Sequence, residues 1–395
     1  MTDLAAPGEL AVQPHFSFFQ ALRHGAIAWS VKGLVNSMLT FRQLSQWWNK
    51  GPNVPDMVKT YPCRPSLPIR IFFPKGYERN SNTKLPTLFM VHGGGFLVGD
   101  PSDDDLVNRR FADTHGFLVI ELNYRKGPGS PFPVGLRDLE AILIALYSDL
   151  NAREDIPATE RLPIDQGRVA ISGFSAGACI ALGACQLPSI QEKVRFSAVI
   201  PVYPVVDQSI KPGERALRRH YKTTFPGLRG NPTDLLARLS PYFVWSYLPY
   251  GQDLRDPLLS PAYAAREELP RGVFVVGAEL DQLCHEGWRL ACRLGGKRVP
   301  PDSAEEKPGQ EMPAAEAGKL IMGNGDERFY WENDEEVQGV KKSVRWLLIP
   351  DAVHGFNLIP PSMHADPGAV EDAKSKAIAY EKVVAEWLVN VIWKK

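Results

Sequence analysis

A serine flanked by glycines is the first residue in this sequence whose surroundings indicate chemistry. Residues 173–177 (GFSAG) fit the pattern G-x-S-x-G, in which the serine stands at a sharp turn between a strand and a helix. The apolar run 169–171 precedes this turn, and residues 178–185 are apolar enough for a buried helix. We therefore expect Ser175 in a strained conformation that lifts its hydroxyl above a sheet. An ordinary glycine-rich turn is the alternative, since the chain contains 33 glycines.

A base and an acid are needed before a serine hydroxyl becomes a nucleophile, because the base takes its proton and the acid orients the base. Asp281 follows the apolar run 273–276, and His354 follows the run 344–349. In an open parallel sheet the carboxyl ends of the strands face one crevice, so residues distant in sequence meet there. We predict Ser175 as nucleophile, Asp281 as acid and His354 as base.

Three other residues compete with the predicted acid and base or neighbour them. Glu279 is a rival acid two positions before Asp281, but it lies nearer the strand. His364 is a rival base in the same region as His354, although it does not directly follow a strand. Asp351 is expected to shape the turn before His354 rather than to react.

Donors for a developing oxyanion are predicted from a run of glycines. The apolar run 86–91, a candidate buried strand, leads into residues 92–95 (HGGG). Backbone N–H groups there can donate to a carbonyl oxygen as it gains charge, and losing one such donor costs about 3 kcal/mol in other enzymes. A phosphate-binding loop would need glycine where Val98 stands, so that alternative fails. The predicted oxyanion hole consists of Gly93, Gly94, Gly95 and Ala176.

Strands and helices alternate along most of the chain, which predicts an α/β fold with a mainly parallel, doubly wound sheet. The strand candidates are residues 67–73, 86–91, 117–122, 169–171, 196–203, 272–277 and 344–349. The helix candidates between or after them are residues 103–114, 134–150, 178–185, 286–294 and 369–393.

Two stretches lie outside this alternation and are predicted to form a helical cap over a catalytic domain of residues 61–395. Residues 1–60 contain apolar side chains at helical spacing, typical of one or two amphipathic helices. Residues from about 205 to 255 show helical fragments and many aromatic residues. A peripheral helical segment without substrate contact is the alternative for this region.

Residues from about 296 to 342 are predicted to form a polar surface insertion. An extra lid, a contact with another subunit and an inert loop are equally open for it.

Composition excludes several classes of partner. The chain has 395 residues with 45 basic and 45 acidic side chains, so no excess charge attracts nucleic acid or an anionic membrane. Arg23, His24 and Lys32 interrupt the most apolar N-terminal stretch, so no stable membrane insertion is expected. Five cysteines without a C-x-x-C pair indicate free thiols in a reducing compartment rather than a zinc site. With no secretory signal at the N-terminus, we expect a cytoplasmic protein.

These motifs together resemble the hormone-sensitive-lipase family of α/β-hydrolase esterases, which includes arylacetamide deacetylase-like enzymes. The order HGGG, G-x-S-x-G and HGF (residues 354–356) carries the resemblance. Residues 123–138 (NYR, PFP and D), 256–261 (DPLLSP) and 281–287 (DQL and EG) add to it.

The resemblance implies a fold, a set of roles and an absence. Ser175, Asp281 and His354 would form the triad of a serine hydrolase with a helical cap, and His92 would be mainly structural. Gly94, Gly95 and Ala176 would donate to the oxyanion, and Gly93 would shape the oxyanion hole. No metal or organic cofactor is implied. Phe174 stands where this family usually has aspartate, which leaves the acyl preference open.

We therefore expect a serine carboxylesterase acting on small to medium, partly apolar esters. An acyltransferase, or an amide or thioester hydrolase of a biosynthetic pathway, would use the same triad and stays open. A non-catalytic ligand-binding receptor on this fold is a further rival, which the intact Ser175, Asp281 and His354 argue against. The sequence leaves the oligomeric state open, a homo-oligomer included.

Overall fold

A nine-stranded sheet forms the centre of the molecule. The structure is a computed structural model that describes residues 11–12, 16–48, 51–79, 81, 83–151, 161–302, 308–309, 316–323, 325–337, 339–358 and 367–394. The strand order is β1-β2-β4-β3-β5-β6-β7-β9-β8. The strands are β1 (Met57–Tyr61), β2 (Arg64–Phe72), β3 (Leu85–Val91), β4 (Leu118–Leu122), β5 (Ile164–Phe174), β6 (Ala198–Val202), β7 (Gly272–Ala278), β8 (Tyr330–Val337) and β9 (Val340–Ile349).

The six central strands run parallel, from β4 through β3, β5, β6 and β7 to β9. At the two edges the pairs β1–β2, β2–β4 and β8–β9 are antiparallel. Because the chain leaves β3 first to β4 and later to β5 on its other side, the strand order reverses at β3. Such a reversal opens a crevice at the carboxyl ends of the strands.

Helices cover both faces of the sheet, as apolar side chains on both faces of its strands require. On β3, Phe89 and Val91 contribute to one apolar cluster, and Leu88 and Met90 to the other, all of them fully buried. The helices are α1 (Phe18–Trp48), α2 (Asp105–His115), α3 (Val134–Asn151), α4 (Ala176–Cys185), α5 (Pro188–Lys193), α6 (Pro212–Leu217), α7 (Leu235–Tyr247), α8 (Cys284–Leu294) and α9 (Pro367–Trp387). The predicted α/β class with a mainly parallel sheet is confirmed.

The polar stretch predicted as a surface insertion contains a strand. Within residues 296–342, β8 pairs antiparallel with β9 over eight residues and forms one edge of the sheet. Its first residues are partly or fully buried, whereas Glu335 and Glu336 are exposed. An edge strand needs an apolar face over only part of its length, and exposed charges at an edge oppose pairing with another chain. The polar composition of residues 330–337 therefore gave no pattern from which β8 could be predicted.

Within the N-terminal stretch, residues 18–48 form one long helix, α1, and Met57–Tyr61 already belong to the sheet as β1. The helix α1 crosses α7, where Gly25 lies against the ring of Trp245 and His24 packs on Tyr242 with the ring centroids 5.3 Å apart. Among the described residues, the helices are too short or too polar to cross a membrane. The strand β2 lies one position in from the edge, with β1 outside it. The helix α9 is followed by a turn of π-helix at Leu388–Ile392, within the range predicted as one helix.

Candidate active site

Ser175 occupies the sharp turn between β5 and α4. Its φ is +54°, a strained value for a residue with a side chain, as expected from the motif. A Cβ on Gly177 would overlap the carbonyl oxygens of Val91 and His92, and one on Gly173 would lie 2.6 Å from the backbone of Gly177. The two glycines are therefore needed for the close approach of β3, β5 and α4, which holds the turn in place.

The structure brings together the three residues predicted as nucleophile, acid and base. The hydroxyl of Ser175 donates to Nε2 of His354 at 3.0 Å, and Nδ1 of His354 donates to Oδ2 of Asp281 at 2.7 Å. The other carboxylate oxygen of Asp281 accepts the backbone N–H of Leu283 at 3.0 Å. Because the carboxylate fixes the proton on Nδ1, Nε2 is left to accept the serine proton.

The pKa of His354 is raised above its ordinary value of 6.5. Burial lowers this pKa, but the charge of Asp281 and its hydrogen bond raise it by more, and Asp234 adds to the increase. Asp281 is almost fully buried, so little solvent screens its charge. The pair is therefore suited to accept a proton at neutral pH and to stabilise the imidazolium that results.

The rival acid Glu279 contacts other groups. Its Oε2 accepts the backbone N–H of Asp351 at 2.7 Å and the ammonium of Lys222 at 3.0 Å. Asp351 adopts φ +55° and accepts from the same ammonium at 2.6 Å. Glu279 and Asp351 thus join the turns that carry Asp281 and His354. The rival base His364 lies outside the described residues.

Lys222 was missed by sequence reasoning. This lysine is 3% exposed and belongs to the segment 205–255, far in sequence from both of its carboxylate partners. A single lysine in an irregular polar stretch gives no local signal, because its role depends on contacts that only the fold creates.

The glycines after β3 lie beside Ser175. Gly94 and Gly95 have φ values of +116° and +60°, which residues with side chains seldom adopt. A Cβ on Gly93 would lie 3.5 Å from that of Ser175, and one on Gly95 would lie 2.6 Å from the ring of Phe243. The backbone of this loop can therefore approach a group bound at Ser175 closely.

His92 holds the glycine loop in place through its ring. Its Nδ1 donates to the carbonyl of Gly93 at 2.8 Å, and its ring stacks on Tyr124 with the centroids 4.6 Å apart. Burial, and to a smaller extent the nearby charge of Lys126, lower the pKa of His92 to about 3. A neutral, buried ring in these contacts fits the structural role that the family resemblance implies.

Phe174 is buried and supports the histidine through a second ring. Its ring stacks on Tyr203 at 5.8 Å, and Tyr203 meets His354 edge to face at 4.8 Å. The hydroxyl of Tyr203 donates to Oδ1 of Asn357 at 2.7 Å. An aromatic residue before the serine thus forms part of the wall behind the imidazole, where an aspartate would add a charge.

A cavity of about 670 Å³ opens above Ser175 and His354. Its walls come from the glycine loop, from α1 through Val35, Met38 and Leu39, and from α7 through Leu236 and Phe243. Most of these side chains are apolar. Both predicted cap segments therefore line the space into which the serine faces.

Comparison with known proteins agrees with this geometry. A family model described as alpha/beta hydrolase fold matches residues 88–309, more than half of the chain. An arylesterase of Saccharolobus solfataricus is 30% identical over 235 residues, which cover 59% of this chain and 68% of that protein. Arylacetamide deacetylase of Oryctolagus cuniculus is 34% identical over 149 residues, covering 36% of this chain and 34% of its own length.

Among solved structures, a hyperthermophilic esterase from Pyrobaculum calidifontis superposes with a TM-score of 0.60. The match covers 96% of this chain and all of that one, at 19% sequence identity. At this identity the likeness shows the fold alone, and it extends over nearly the whole chain. The family and fold expected from the motifs are confirmed.

Proposed function

This chain belongs to the α/β-hydrolase fold family, and from that premise we propose that it is a serine carboxylesterase. Relatives that share the family are named arylesterase and arylacetamide deacetylase, which agrees with hydrolysis of carboxylic esters. The observation that carries the proposal is the position of His354 between Ser175 at 3.0 Å and Asp281 at 2.7 Å.

Acylation begins with attack of the Ser175 hydroxyl on the ester carbonyl. Nε2 of His354 takes the hydroxyl proton as the new bond forms, and Asp281 stabilises the resulting imidazolium. When the tetrahedral intermediate collapses, His354 gives this proton to the leaving alcohol. The acyl group then remains on Ser175.

The negative charge on the tetrahedral oxygen is met by backbone donors. We assign the N–H groups of Gly94, Gly95 and Ala176 to this oxyanion hole, with Gly93 shaping it. Ala176 is the first residue of α4, so the partial positive charge of the helix N-terminus adds to the stabilisation. Such preorganised donors are worth about 3 kcal/mol each in the transition state.

Deacylation repeats these steps with water as the nucleophile. His354 takes a proton from the water and returns it to Ser175, which releases the carboxylic acid. No group other than the triad and the backbone donors is required. Excluding water at this stage would convert the enzyme into an acyltransferase, but the relatives named above do not favour that alternative.

The substrate class follows from the walls of the cavity. At about 670 Å³, with walls mainly of apolar residues from α1 and α7, it fits small to medium esters with an apolar part. We propose that α1 and the segment 205–255 act together as the cap.

The five cysteines are all free thiols, which supports the expected cytoplasmic location.

Hydrolysis of p-nitrophenyl esters of increasing acyl length tests the proposal, with wild type beside Ser175→Ala. We expect turnover of the short-chain esters that falls to background in the variant. Folded wild-type protein without turnover of any ester would contradict a general esterase.

A further inference from the structure

A second, smaller cavity also borders Ser175. It measures about 40 Å³, room for about three water-sized groups, since one water needs 10–15 Å³ on this scale. Gly95, Ser175, Leu236 and Phe243 line both cavities, whereas His354 lines the large cavity and is not part of the wall of the small one. The two spaces therefore differ in their access to the base.

This difference assigns the two halves of an ester. His354 must protonate the leaving alcohol, so the alcohol lies in the large cavity beside the imidazole. The acyl chain stays on Ser175 after the alcohol has left, and the small cavity, which borders Ser175 and Gly95 but not His354, is placed to receive it.

Two buried glutamines line the small cavity, each with an unsatisfied polar atom. Gln208 is 5% exposed and Gln282 is 1% exposed. Among the described residues, Nε2 of Gln208 and Oε1 of Gln282 lack a hydrogen-bond partner. The other amide atom of Gln282, Nε2, donates to the hydroxyl of Ser240 at 2.9 Å, which fixes the orientation of the amide. Two residues of this wall therefore carry one unsatisfied donor and one unsatisfied acceptor.

The charged residue in the same wall is already neutralised. Nε of Arg215 donates to Oε2 of Glu286 at 3.0 Å, and the side chains of both residues are 3% exposed. The guanidinium also donates to the backbone carbonyl of Asp207. The cavity thus has little net charge to attract an ionised group, and it favours a neutral polar one.

We infer that the small cavity binds an acyl chain that carries a hydroxyl group, and this inference rests on the proposed esterase function. A hydroxyl can both accept, as Nε2 of Gln208 requires, and donate, as Oε1 of Gln282 requires, so its chemistry matches both orphaned atoms. A carbonyl or ether oxygen can only accept, and would leave Gln282 unsatisfied. A methyl group in its place would leave both amide atoms buried without partners, which is costly. The preferred substrates are therefore short hydroxyacyl esters.

Matched pairs of ethyl esters test this inference by titration of the released acid. Ethyl 3-hydroxybutanoate is compared with ethyl 3-methylbutanoate, and ethyl lactate with ethyl 2-methylpropanoate, since each pair exchanges hydroxyl for methyl at nearly constant shape. We expect the wild-type enzyme to prefer at least one hydroxy ester over its partner by about tenfold or more in kcat/KM.

Variants locate this preference in the small cavity. Gln208→Leu and Gln282→Leu should each bring the ratio to unity or reverse it, whereas Gln191→Leu, an exposed site on α5, should leave it unchanged. Because each ratio compares two substrates of one enzyme, a general loss of activity cancels.

The outcomes separate the two claims. Turnover of both members of each pair with a wild-type ratio near unity would overturn the inference and leave the esterase proposal intact. A hydroxyl preference that survives both glutamine substitutions would also overturn it, because the preference would then arise from groups other than the two amides. Failure to hydrolyse any ester would overturn the esterase proposal, and the inference with it.

Discussion

The two segments that cover the cavity are attached to the catalytic domain in different ways. The inner segment, residues 205–255, is held by buried charges. Its Lys222 pairs with Glu279 and Asp351, all at most 2% exposed in their side chains, and its Arg215 pairs with Glu286 on α8. These acids stand on or next to the turns that carry Asp281 and His354.

The outer helix, α1, presents a largely apolar surface instead. It contacts α7 of the inner segment through Gly25 against Trp245. Its contacts with the catalytic domain include Lys32, which donates to two backbone carbonyls at 2.6 and 3.0 Å, and Arg42, which pairs with Asp103 at 2.8 Å. Nine large apolar side chains of its described part are more than half exposed: Phe18, Phe19, Leu22, Trp29, Leu34, Met38, Phe41, Leu44 and Trp48.

The contrast separates two roles within the proposed cap. Removing one partner of a buried ion pair leaves an uncompensated charge and costs about 3–5 kcal/mol. Truncating an exposed apolar side chain changes stability by about 0.5 kcal/mol or less. We therefore assign the inner segment to the alignment of acid and base, and the outer helix to the mouth of the cavity.

The largest expected difference is between two glycines, one in the catalytic loop beneath the inner segment and one in the outer helix. Gly95 lies under Phe243 of the inner segment at φ +60°, so Gly95→Ala strains the backbone and drives a Cβ into the ring. We expect kcat for p-nitrophenyl acetate to fall about 10²-fold, as when an oxyanion donor is lost.

Gly33→Ala is the matched change in the outer helix. Its Cβ would meet nothing within 4 Å, and alanine favours a helix over glycine by about 1 kcal/mol. We expect an unchanged or slightly raised melting temperature and unchanged kcat. Equal losses in the two variants would contradict the claim that the inner segment packs closely on the catalytic loop while Gly33 of the outer helix faces open space.

Substitution of Lys222 tests the alignment role directly. Lys222→Met leaves Glu279 and Asp351 buried without their shared cation, so we expect the free energy of unfolding to fall by about 3–5 kcal/mol. The turns that hold Asp281 and His354 lose a common contact, and kcat should fall about tenfold with a smaller change in KM. Urea unfolding and steady-state kinetics measure the two effects.

The triple variant Lys222→Met, Glu279→Gln and Asp351→Asn is its control. Without the carboxylate charges the cation is no longer needed, and most of the lost stability should return. A Lys222→Met enzyme with wild-type stability and kcat would contradict the alignment role.

The pH dependence should reflect the histidine environment that the inner segment completes. The pKa of His354 is raised above 6.5, because Asp281 and Asp234 outweigh the opposite effect of burial. Only the neutral imidazole accepts a proton, so kcat/KM should rise with pH and level off above a pKa higher than 6.5. Well below that pKa it should change about tenfold per pH unit.

Asp234→Asn should move this acidic limb to lower pH, because one of the charges that raise the pKa of His354 is removed. The pH profile of kcat/KM measures the shift. A wild-type limb below pH 6.5, or one that moves upward in the variant, would contradict the assignment.

Met38 of the outer helix gives the smallest expected effect. It lines the large cavity and is 63% exposed. Met38→Ser should raise KM for esters with long apolar groups a few-fold, with little change in the free energy of unfolding. The corresponding KM for acetate esters serves as the comparison, and an equal rise for both would place Met38 outside the substrate path.

The parts that could be predicted from sequence depend on local pattern. The strand ends predicted that Ser175, Asp281 and His354 lie close together, and the structure brings them within hydrogen-bond distance. Parallel strands bring their carboxyl ends together whatever the connections between them. The run of glycines after β3 was predicted to lie near Ser175 because it also follows the carboxyl end of a parallel strand. The alternation of apolar strands and helices predicted the sheet.

The parts that could not be predicted depend on distant contacts. Lys222 pairs with a carboxylate 129 positions away in the sequence. Gln208 and Gln282 lie in different loops but line the same cavity. The strand β8 was hidden because an edge strand tolerates a polar composition. In each case the residue type is ordinary, and only the fold gives it a role.

Labelling by a fluorophosphonate, mapped by peptide mass spectrometry, tests the central claim most directly. We predict a single adduct on Ser175 in the wild type, loss of labelling in Ser175→Ala, and labelling slowed by orders of magnitude in His354→Ala. A folded wild-type protein that is not labelled, or an adduct on another residue that persists in Ser175→Ala, would contradict a serine nucleophile activated by His354.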